Sequence, residues 1–251
     1  MTPVEASKSK NELTVYKNLY PEKEEKIKKP KFEAGNTVVF TDYRNNQLII
    51  RNVEDGSDIH RILLSYKPLY MTVVNSNTVA VSCKFNKTIL IINISTRSVT
   101  STINTSRYCG RIAYKDKHLY VVIDKSIIRV MDLTGKVIRT IPLHSGVRIT
   151  DITVDRDRLV SIDWTTLYCC SLDGQLIWMF KMDQFKDLSR LTTDNEGTVY
   201  VTNYETNTVV FVSNDGKIHK EYRTQSDKLD VPSGIYFDKK ENSLLVGNHT
   251  D

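Results

Sequence analysis

The chain has 251 residues, of which 40% are hydrophobic and 26% are charged, and its formal net charge is +5. This composition can bury a sizeable core, and it excludes a collagen-like or low-complexity chain. The chain has no apolar run long enough to cross a membrane, and residues 1–30 lack the apolar stretch of a signal peptide. We therefore expect a soluble, cytoplasmic protein that does not bind membranes.

The chain divides into two parts by composition. Residues 1–31 are predicted to be a charged linker, because they include the run EKEEKIKKPK at 22–31 and show little apolar patterning. One segment of this linker, residues 13–20, alternates polar and apolar residues closely enough to predict a strand. Residues 32–251 are predicted to form a single repeat domain.

A repeat with a spacing of forty residues runs through the second part. The runs around its hydrophobic anchors are rich in β-branched and aromatic residues, as buried strands require. Short strands that recur at this interval predict the blades of a β-propeller. The anchors are Val39, Val79, Leu119, Leu159 and Val199. The repeat units begin near Phe32, Met71, Arg111, Asp151 and Arg190.

A sixth unit begins at Gly234 and contains only two predicted strands before Asp251. We therefore predict an all-β, six-bladed propeller with about 40 residues per blade and an incomplete sixth blade. Propellers avoid exposed strand edges by building one blade from both ends of the chain. The segment at 13–20 is the candidate for an outer strand of the sixth blade. The alternative is that the end of the chain has been cut off.

No catalytic motif is present in the sequence. It contains no Cys-x-x-C spacing, no Gly-x-Ser-x-Gly elbow and no phosphate-binding glycine-rich loop, and its five histidines are spread over four of the units. The four cysteines are expected to be buried packing residues. These features favour a binding module over an enzyme, with no catalytic residue, no bound metal and no cofactor.

An enzyme remains the alternative function. A propeller hydrolase of the lactonase or esterase type holds a divalent cation in its central channel through carboxylate and amide oxygens. Asp163, Asn203 and Asn248 stand at equivalent positions after the second strands of their units, so they are the candidate ligands. Asn and Asp also cap turns, and at these positions turn capping is more common than binding of a cation.

One face of the predicted propeller combines bases with aromatic rings. In a propeller, the loops between second and third strands and the loops between blades emerge on the same face. The predicted ligand-binding residues of these loops are Arg44, Lys67, Tyr70, Lys84, Phe85, Arg107, Tyr108, Arg148, Trp164, Lys186, Arg190 and Tyr204, with Tyr43, Lys87, His144 and Phe185 beside them. The opposite face carries acidic turns that include Asp155, Asp157 and Asp194.

This combination suits two kinds of ligand. Arginine and lysine neutralise phosphates, and aromatic rings stack on unpaired bases, so single-stranded RNA is one expected partner. An acidic or phosphorylated segment of a protein fits equally well, because tyrosine and arginine also dominate protein interfaces. The sequence predicts single-stranded RNA and a protein partner equally, and no small-molecule cofactor is expected.

The last unit resembles the NHL repeat. VPSGIYFDKKENSLLVGNHT, residues 231–250, has a Pro-x-Gly entering the first strand, an Asp before a turn, and an Asn followed by His at the end of the second strand. The unit at 190–222 follows the same plan. NHL propellers form the C-terminal domains of tripartite-motif (TRIM) proteins, so the resemblance implies recognition of RNA or substrates for a TRIM-type ubiquitin ligase. The sequence has no RING or B-box, so ligase activity would come only through association with such domains.

Overall fold

The structure is a computed structural model that describes residues 13–17, 37–52, 57–142, 147–181, 185–222, 231–240 and 242–248. These residues form β-strands and one short 3-10 helix at Lys84–Asn86. In chain order the strands are β1 (Leu13–Lys17), β2 (Thr37–Asp42), β3 (Gln47–Asn52), β4 (Asp58–Leu63), β5 (Tyr70–Asn75), β6 (Thr78–Cys83), β7 (Thr88–Asn93), β8 (Ser98–Asn104), β9 (Cys109–Lys115), β10 (His118–Ile123), β11 (Ile127–Met131), β12 (Val137–Pro142), β13 (Asp151–Asp155), β14 (Arg158–Ile162), β15 (Thr166–Ser171), β16 (Leu176–Lys181), β17 (Leu188–Thr193), β18 (Val199–Asn203), β19 (Thr208–Val212), β20 (His219–Tyr222), β21 (Pro232–Asp238) and β22 (Ser243–Asn248).

The strands form the antiparallel sheets of a β-propeller, so the predicted fold class is confirmed. Four sheets contain four consecutive strands each, namely β5–β8, β9–β12, β13–β16 and β17–β20. A further sheet contains β2, β3 and β4. Within each of these five sheets, every strand pairs with the next along the chain, as expected for strands joined by short hairpins.

The prediction of six blades is corrected to five blades of consecutive strands. The remaining strands form a three-stranded sheet in the order β1-β22-β21, which combines both ends of the described chain. This sheet differs from the blades because the last repeat unit has only two strands. Its third strand is β1, which pairs antiparallel with β22 from Leu13 opposite Gly247 to Lys17 opposite Ser243. Residues 13–17 of the strand predicted at 13–20 therefore form the expected strand, and residues 18–20 lie outside the described residues.

The first sheet is also shorter than the repeat predicts. Val39 lies in β2, whereas the anchor of the next unit, Val79, lies in the second strand of its sheet. The first strand of this unit is predicted near Phe32, which lies outside the described residues. The boundary between residues 31 and 32 falls in the same segment, so the division into linker and repeat domain stays a prediction.

The first strands of the sheets lie side by side at the centre of the molecule. β5 packs beside β9, β9 beside β13, β13 beside β17, and β17 beside β21. These inner strands surround the propeller axis, and each sheet runs outward from its inner strand. The residues at the start of each inner strand therefore come close to the axis at one end of the channel.

The core lies between neighbouring sheets. Leu119 and Leu159 are 0% and 1% exposed, and Val79 and Val199 are also buried, as the repeat predicts. Val39 is partly buried against the cluster between the first two sheets. Cys83, Cys109, Cys169 and Cys170 are buried free thiols, which confirms their predicted packing role. In the described part of the chain, no helix has the length and hydropathy needed to cross a membrane.

Candidate ligand-binding face

The two kinds of loop predicted to carry the site do lie on one face. Backbone hydrogen bonds join them: the Asp124 N–H donates to the carbonyl of Tyr108 at 2.9 Å, and the Leu188 N–H donates to that of Trp164 at 3.0 Å. In both cases a loop between second and third strands is tied to a loop between sheets. These bonds hold the exposed side chains of the loops on a common surface.

All twelve predicted residues occupy this face. Tyr70 and Arg190 lie near the start of inner strands β5 and β17, and the others lie in the loops. Tyr70, Lys84 and Arg190 are partly buried. The exposed members are Arg44, Lys67, Phe85, Arg107, Tyr108, Arg148, Trp164, Lys186 and Tyr204. Their role in binding a ligand stays a prediction.

Four side chains from two neighbouring loops form what we call the rim cluster: Lys84, Phe85, Lys87 and Tyr108. The rings of Phe85 and Tyr108 meet edge to face, with centroids 6.5 Å apart, and remain 59% and 49% exposed. The Nζ of Lys84 lies 5.3 Å from the centroid of Phe85, and that of Lys87 lies 5.5 Å from the centroid of Tyr108. Both distances are within the range of cation–π attraction.

The backbone fixes the rim cluster. Lys84 and Phe85 belong to the 3-10 helix, and Lys87 ends it in a left-handed conformation with φ 55°. The carbonyl of Lys87 accepts hydrogen bonds from both the N–H and the hydroxyl of Thr105, each at 2.8 Å. Because Thr105 is buried at the base of the neighbouring loop, it holds Lys87 beside Tyr108.

Two other predicted bases on this face already have partners. The guanidinium of Arg107 forms an ion pair with Asp124. The Nζ of Lys67 lies 4.9 Å from the ring centroid of Tyr43, in the turn between β2 and β3. Arg107, Lys67 and Tyr43 are exposed and Asp124 is partly exposed. Interactions at such sites are worth about 1 kcal/mol or less, so a ligand can displace them at small cost.

A second group, which we call the axial cluster, lies where the inner strands converge: Tyr70, Arg111, Asp151 and Arg190. The guanidinium carbon of Arg111 lies 3.7 Å from the ring centroid of Tyr70, and that of Arg190 lies 5.8 Å from it. Tyr70 and Arg190 are on β5 and β17, which are not neighbours around the axis. The contact between Tyr70 and Arg190 therefore crosses the central channel.

Asp151 connects the two arginine-bearing strands. Its Oδ1 lies 3.7 Å from the Nε of Arg111, and its Oδ2 accepts a 3.0 Å hydrogen bond from the N–H of Leu191, next to Arg190. Burial raises the pKa of Asp151 above its ordinary value, and the positive charge of Arg111 opposes this rise. The Nε of Arg111 also donates to the carbonyl of Thr150.

The axial cluster was only half predicted from the sequence. Tyr70 and Arg190 were predicted on this face, but Arg111 and Asp151 were noted only as the starts of repeat units. Their signal was the repeat itself, because residues 71, 111, 151 and 190 occupy the same place in four units. Phe185, expected beside the ligand-binding residues, is 1% exposed and belongs to the core. His144 lies outside the described residues.

The candidate cation ligands have other partners. The Oδ1 of Asp163 accepts hydrogen bonds from the N–H groups of Thr165 and Thr166, and its Oδ2 accepts one from the hydroxyl of Tyr168 at 2.9 Å. Asn203 is buried and accepts one from the N–H of Glu205. The side chain of Asn248 is outside the described set. No metal-binding group of three His, Cys, Asp or Glu is found among the described residues.

The acidic face is less exposed than the sequence suggested. Asp155 and Asp194 are each 3% exposed, whereas Asp157 is exposed as expected. Asp155 lies 2.7 Å from the Nζ of Lys239 and 3.7 Å from the guanidinium of the buried Arg158. Asp194 accepts hydrogen bonds from its own turn and from the hydroxyl of Tyr200. These carboxylates are buried because they join strands and turns, so they do not form an open acidic surface.

The buried thiols are poor nucleophiles. Burial, with a smaller contribution from Cys109, raises the pKa of Cys83 to about 12, and burial raises that of Cys169 to about 11. A cysteine reacts as its thiolate, so neither residue is activated for catalysis. The cysteines therefore contribute to packing and not to the candidate site.

Comparisons with known proteins support the fold. The chain is similar to the crystal structure of a protein of unknown function from Bacteroides caccae, solved at 1.35 Å resolution. The TM-score is 0.64 and the sequence identity is 11%, over 80% of this chain and 78% of that one. At this identity the likeness shows the fold alone. The scan against protein-family models found no match, and neither did the search of the curated proteins.

Proposed function

We propose that this protein is a non-catalytic recognition platform whose loop face binds an extended anionic chain. The ligand is single-stranded RNA or an acidic segment of a protein partner. The observation that carries the proposal is the rim cluster, in which two exposed rings lie 6.5 Å apart and each has a lysine nearby. Trp164 and Tyr204 add further exposed rings on the same face.

The rim cluster suits a ligand that has both charge and flat groups. A base that stacks on Phe85 or Tyr108 gains about 1–3 kcal/mol, and every base has a face that can stack. The lysine displaced from the ring is then within reach of a phosphate, and neutralising phosphates releases counterions. An acidic peptide uses the same lysines through charge-assisted hydrogen bonds, but it does not need the rings to stack on bases.

Three finer parts of this account are also proposals. The sheet β1-β22-β21 closes the ring beside the five blades, which rests on the pairing of β1 with β22. Association with a TRIM-type ubiquitin ligase rests on the NHL-like pattern of residues 231–250 in the sequence. A cytoplasmic location and the absence of membrane binding rest on composition.

Ring substitutions test the proposed function. Fluorescence anisotropy with a labelled oligouridine and a labelled polyglutamate peptide gives the affinity for each class of ligand. If RNA is bound, Phe85→Leu and Tyr108→Leu should each weaken oligouridine binding by about 1–3 kcal/mol. The control is Leu176→Ala, which changes an exposed apolar residue on the outer strand β16.

The two classes of ligand give different results in this assay. Loss of oligouridine binding in the ring variants supports RNA. Binding of polyglutamate, but not of oligouridine, supports an acidic protein partner. If the parent protein binds neither polymer at low salt, the proposed function is wrong.

A further inference from the structure

We propose that the axial cluster is a carboxylate-binding site at the entrance of the central channel. This inference goes beyond the proposed function, because it concerns a single anionic group at the axis and does not require a polymer on the rim. The site consists of Tyr70, Arg111, Asp151 and Arg190, contributed by four different inner strands.

The charges of the axial cluster do not cancel. Arg111 and Asp151 face each other, with 3.7 Å between Nε and Oδ1. No carboxylate of the described residues pairs with Arg190, whose Nη1 donates to the carbonyl of Ser189 at 3.1 Å. The cluster therefore holds two guanidinium groups for one carboxylate. An incoming carboxylate would supply the second negative charge.

The surroundings of Arg190 favour binding of an anion. Arg190 and Tyr70 are partly buried, so an anion bound between them would be partly removed from water. Electrostatic attraction is stronger in such a place than at an exposed surface, because the effective dielectric constant is lower. A planar guanidinium can donate two parallel hydrogen bonds to a carboxylate, which makes a carboxylate a better match than a spherical anion.

The backbone holds the site in place. The N–H of Arg190 donates to the hydroxyl of Thr202 at 3.0 Å, where the pairing of β17 with β18 is irregular. On the other side of the axis, the hydroxyl of the buried Ser82 donates to the carbonyl of Gly110 at 2.8 Å and so joins β6 to β9 beside Tyr70 and Arg111. The ring of Tyr70 lies close to both guanidinium groups, with its centroid 3.7 Å from the guanidinium carbon of Arg111 and 5.8 Å from that of Arg190.

The test uses succinate, a small dicarboxylate, and succinamide, its neutral analogue, each titrated against the full chain by NMR. We expect saturable binding of succinate and none of succinamide. Arg190→Met should weaken succinate binding about ten- to hundredfold, because it removes charged hydrogen bonds. Arg139→Met is the matched control, since Arg139 is exposed on the outer strand β12 and its loss changes the net charge equally. It should leave binding unchanged.

A second pair of variants keeps the test decisive if Arg190→Met does not fold. Tyr70→Leu should weaken succinate binding because it removes the aromatic ring beside the two guanidinium groups. Tyr70→Phe keeps a ring there and should bind succinate as the parent does. The proposal is overturned if succinate binding does not saturate, or if Arg190→Met and Arg139→Met weaken it equally. If the natural ligand is a free dicarboxylate, succinate should bind more tightly than polyglutamate. If it is an acidic side chain of a partner, polyglutamate should bind more tightly, and Arg190→Met should weaken that binding.

The axial site and the recognition platform are tested by different variants and ligands, so either can be refuted without the other. The ring substitutions Phe85→Leu and Tyr108→Leu test the rim with polymers. The substitution Arg190→Met tests the axis with a ligand too small to need the rim. Succinate binding without polymer binding would leave the axial site standing and remove the recognition platform.

Discussion

Truncating the buried leucines at the repeat anchors should destabilise the propeller at two successive interfaces between sheets. Leu119 lies in a cluster with Ala80 and Ile91 of the preceding sheet, and Leu159 lies in a cluster with Tyr120 of the sheet before its own. A change from Leu to Ala removes three carbon atoms, and their loss from an apolar environment costs about 2.5 kcal/mol. The residual cavity raises the expected total to about 3–5 kcal/mol for each substitution.

Urea denaturation followed by circular dichroism measures this cost. Leu176→Ala is the matched control, because Leu176 is 44% exposed on an outer strand, and its truncation should cost less than about 0.5 kcal/mol. The double variant Leu119→Ala and Leu159→Ala should be nearly additive, since the two leucines belong to different clusters. Costs below about 0.5 kcal/mol at both anchors would refute the assignment of these strands to the interfaces.

Two further predictions concern the ends and the acidic face. Deleting residues 1–20 removes β1 and exposes the edge of β22. This deletion should lower the melting temperature by about 5 °C or more relative to a deletion of residues 1–10. Equal melting temperatures would refute a structural role for β1. Asp155→Ala leaves the buried Arg158 without its carboxylate, so it should lower the free energy of unfolding, measured by urea titration, by about 3–5 kcal/mol. The control Asp157→Ala changes an exposed residue and should lower it by no more than about 0.5 kcal/mol. Equal effects would contradict the ion pairs of Asp155.

The repeat predicted the fold well because a propeller places the same position of every unit in the same environment. Five anchors were predicted as buried from their spacing alone. Val79, Leu119, Leu159 and Val199 are buried, and Val39 is partly buried. The number of blades was harder to predict, because the spacing does not show how incomplete units at the two ends combine. The pairing of β1 with β22 joins residues more than 220 positions apart, and it was predicted only because the last unit has two strands and the segment at 13–20 has a strand pattern.

The sequence predicted which loops carry the site, but not which of their side chains come into contact. Loop position placed Phe85 and Tyr108 correctly on one face, but their contact depends on how two neighbouring loops pack. The axial cluster depends on the approach of Tyr70 and Arg190 across the axis, which sequence spacing cannot show. Asp155 was expected to be exposed because it begins a turn, but Lys239 from a distant turn reaches its carboxylate and helps to bury it.

The central claim is that the loop face, and not the overall positive charge, binds an anionic polymer. It is tested most directly by comparing two fourfold variants that remove the same charge from opposite faces. The loop-face variant changes Lys84, Lys87, Arg148 and Lys186 to Gln, and the control variant changes Lys117, Lys136, Lys217 and Lys240 to Gln.

The measurement is the dependence of oligouridine affinity on salt concentration for both variants and the parent. Each phosphate contact with a single strand contributes about 0.7 to the slope of log K against log salt, so the loop-face variant should lose about 3 from the slope if all four cations contact phosphates. The control variant should keep the slope and affinity of the parent, because its lysines lie on turns at the opposite face. Equal slopes and affinities for the two variants would contradict recognition by the loop face.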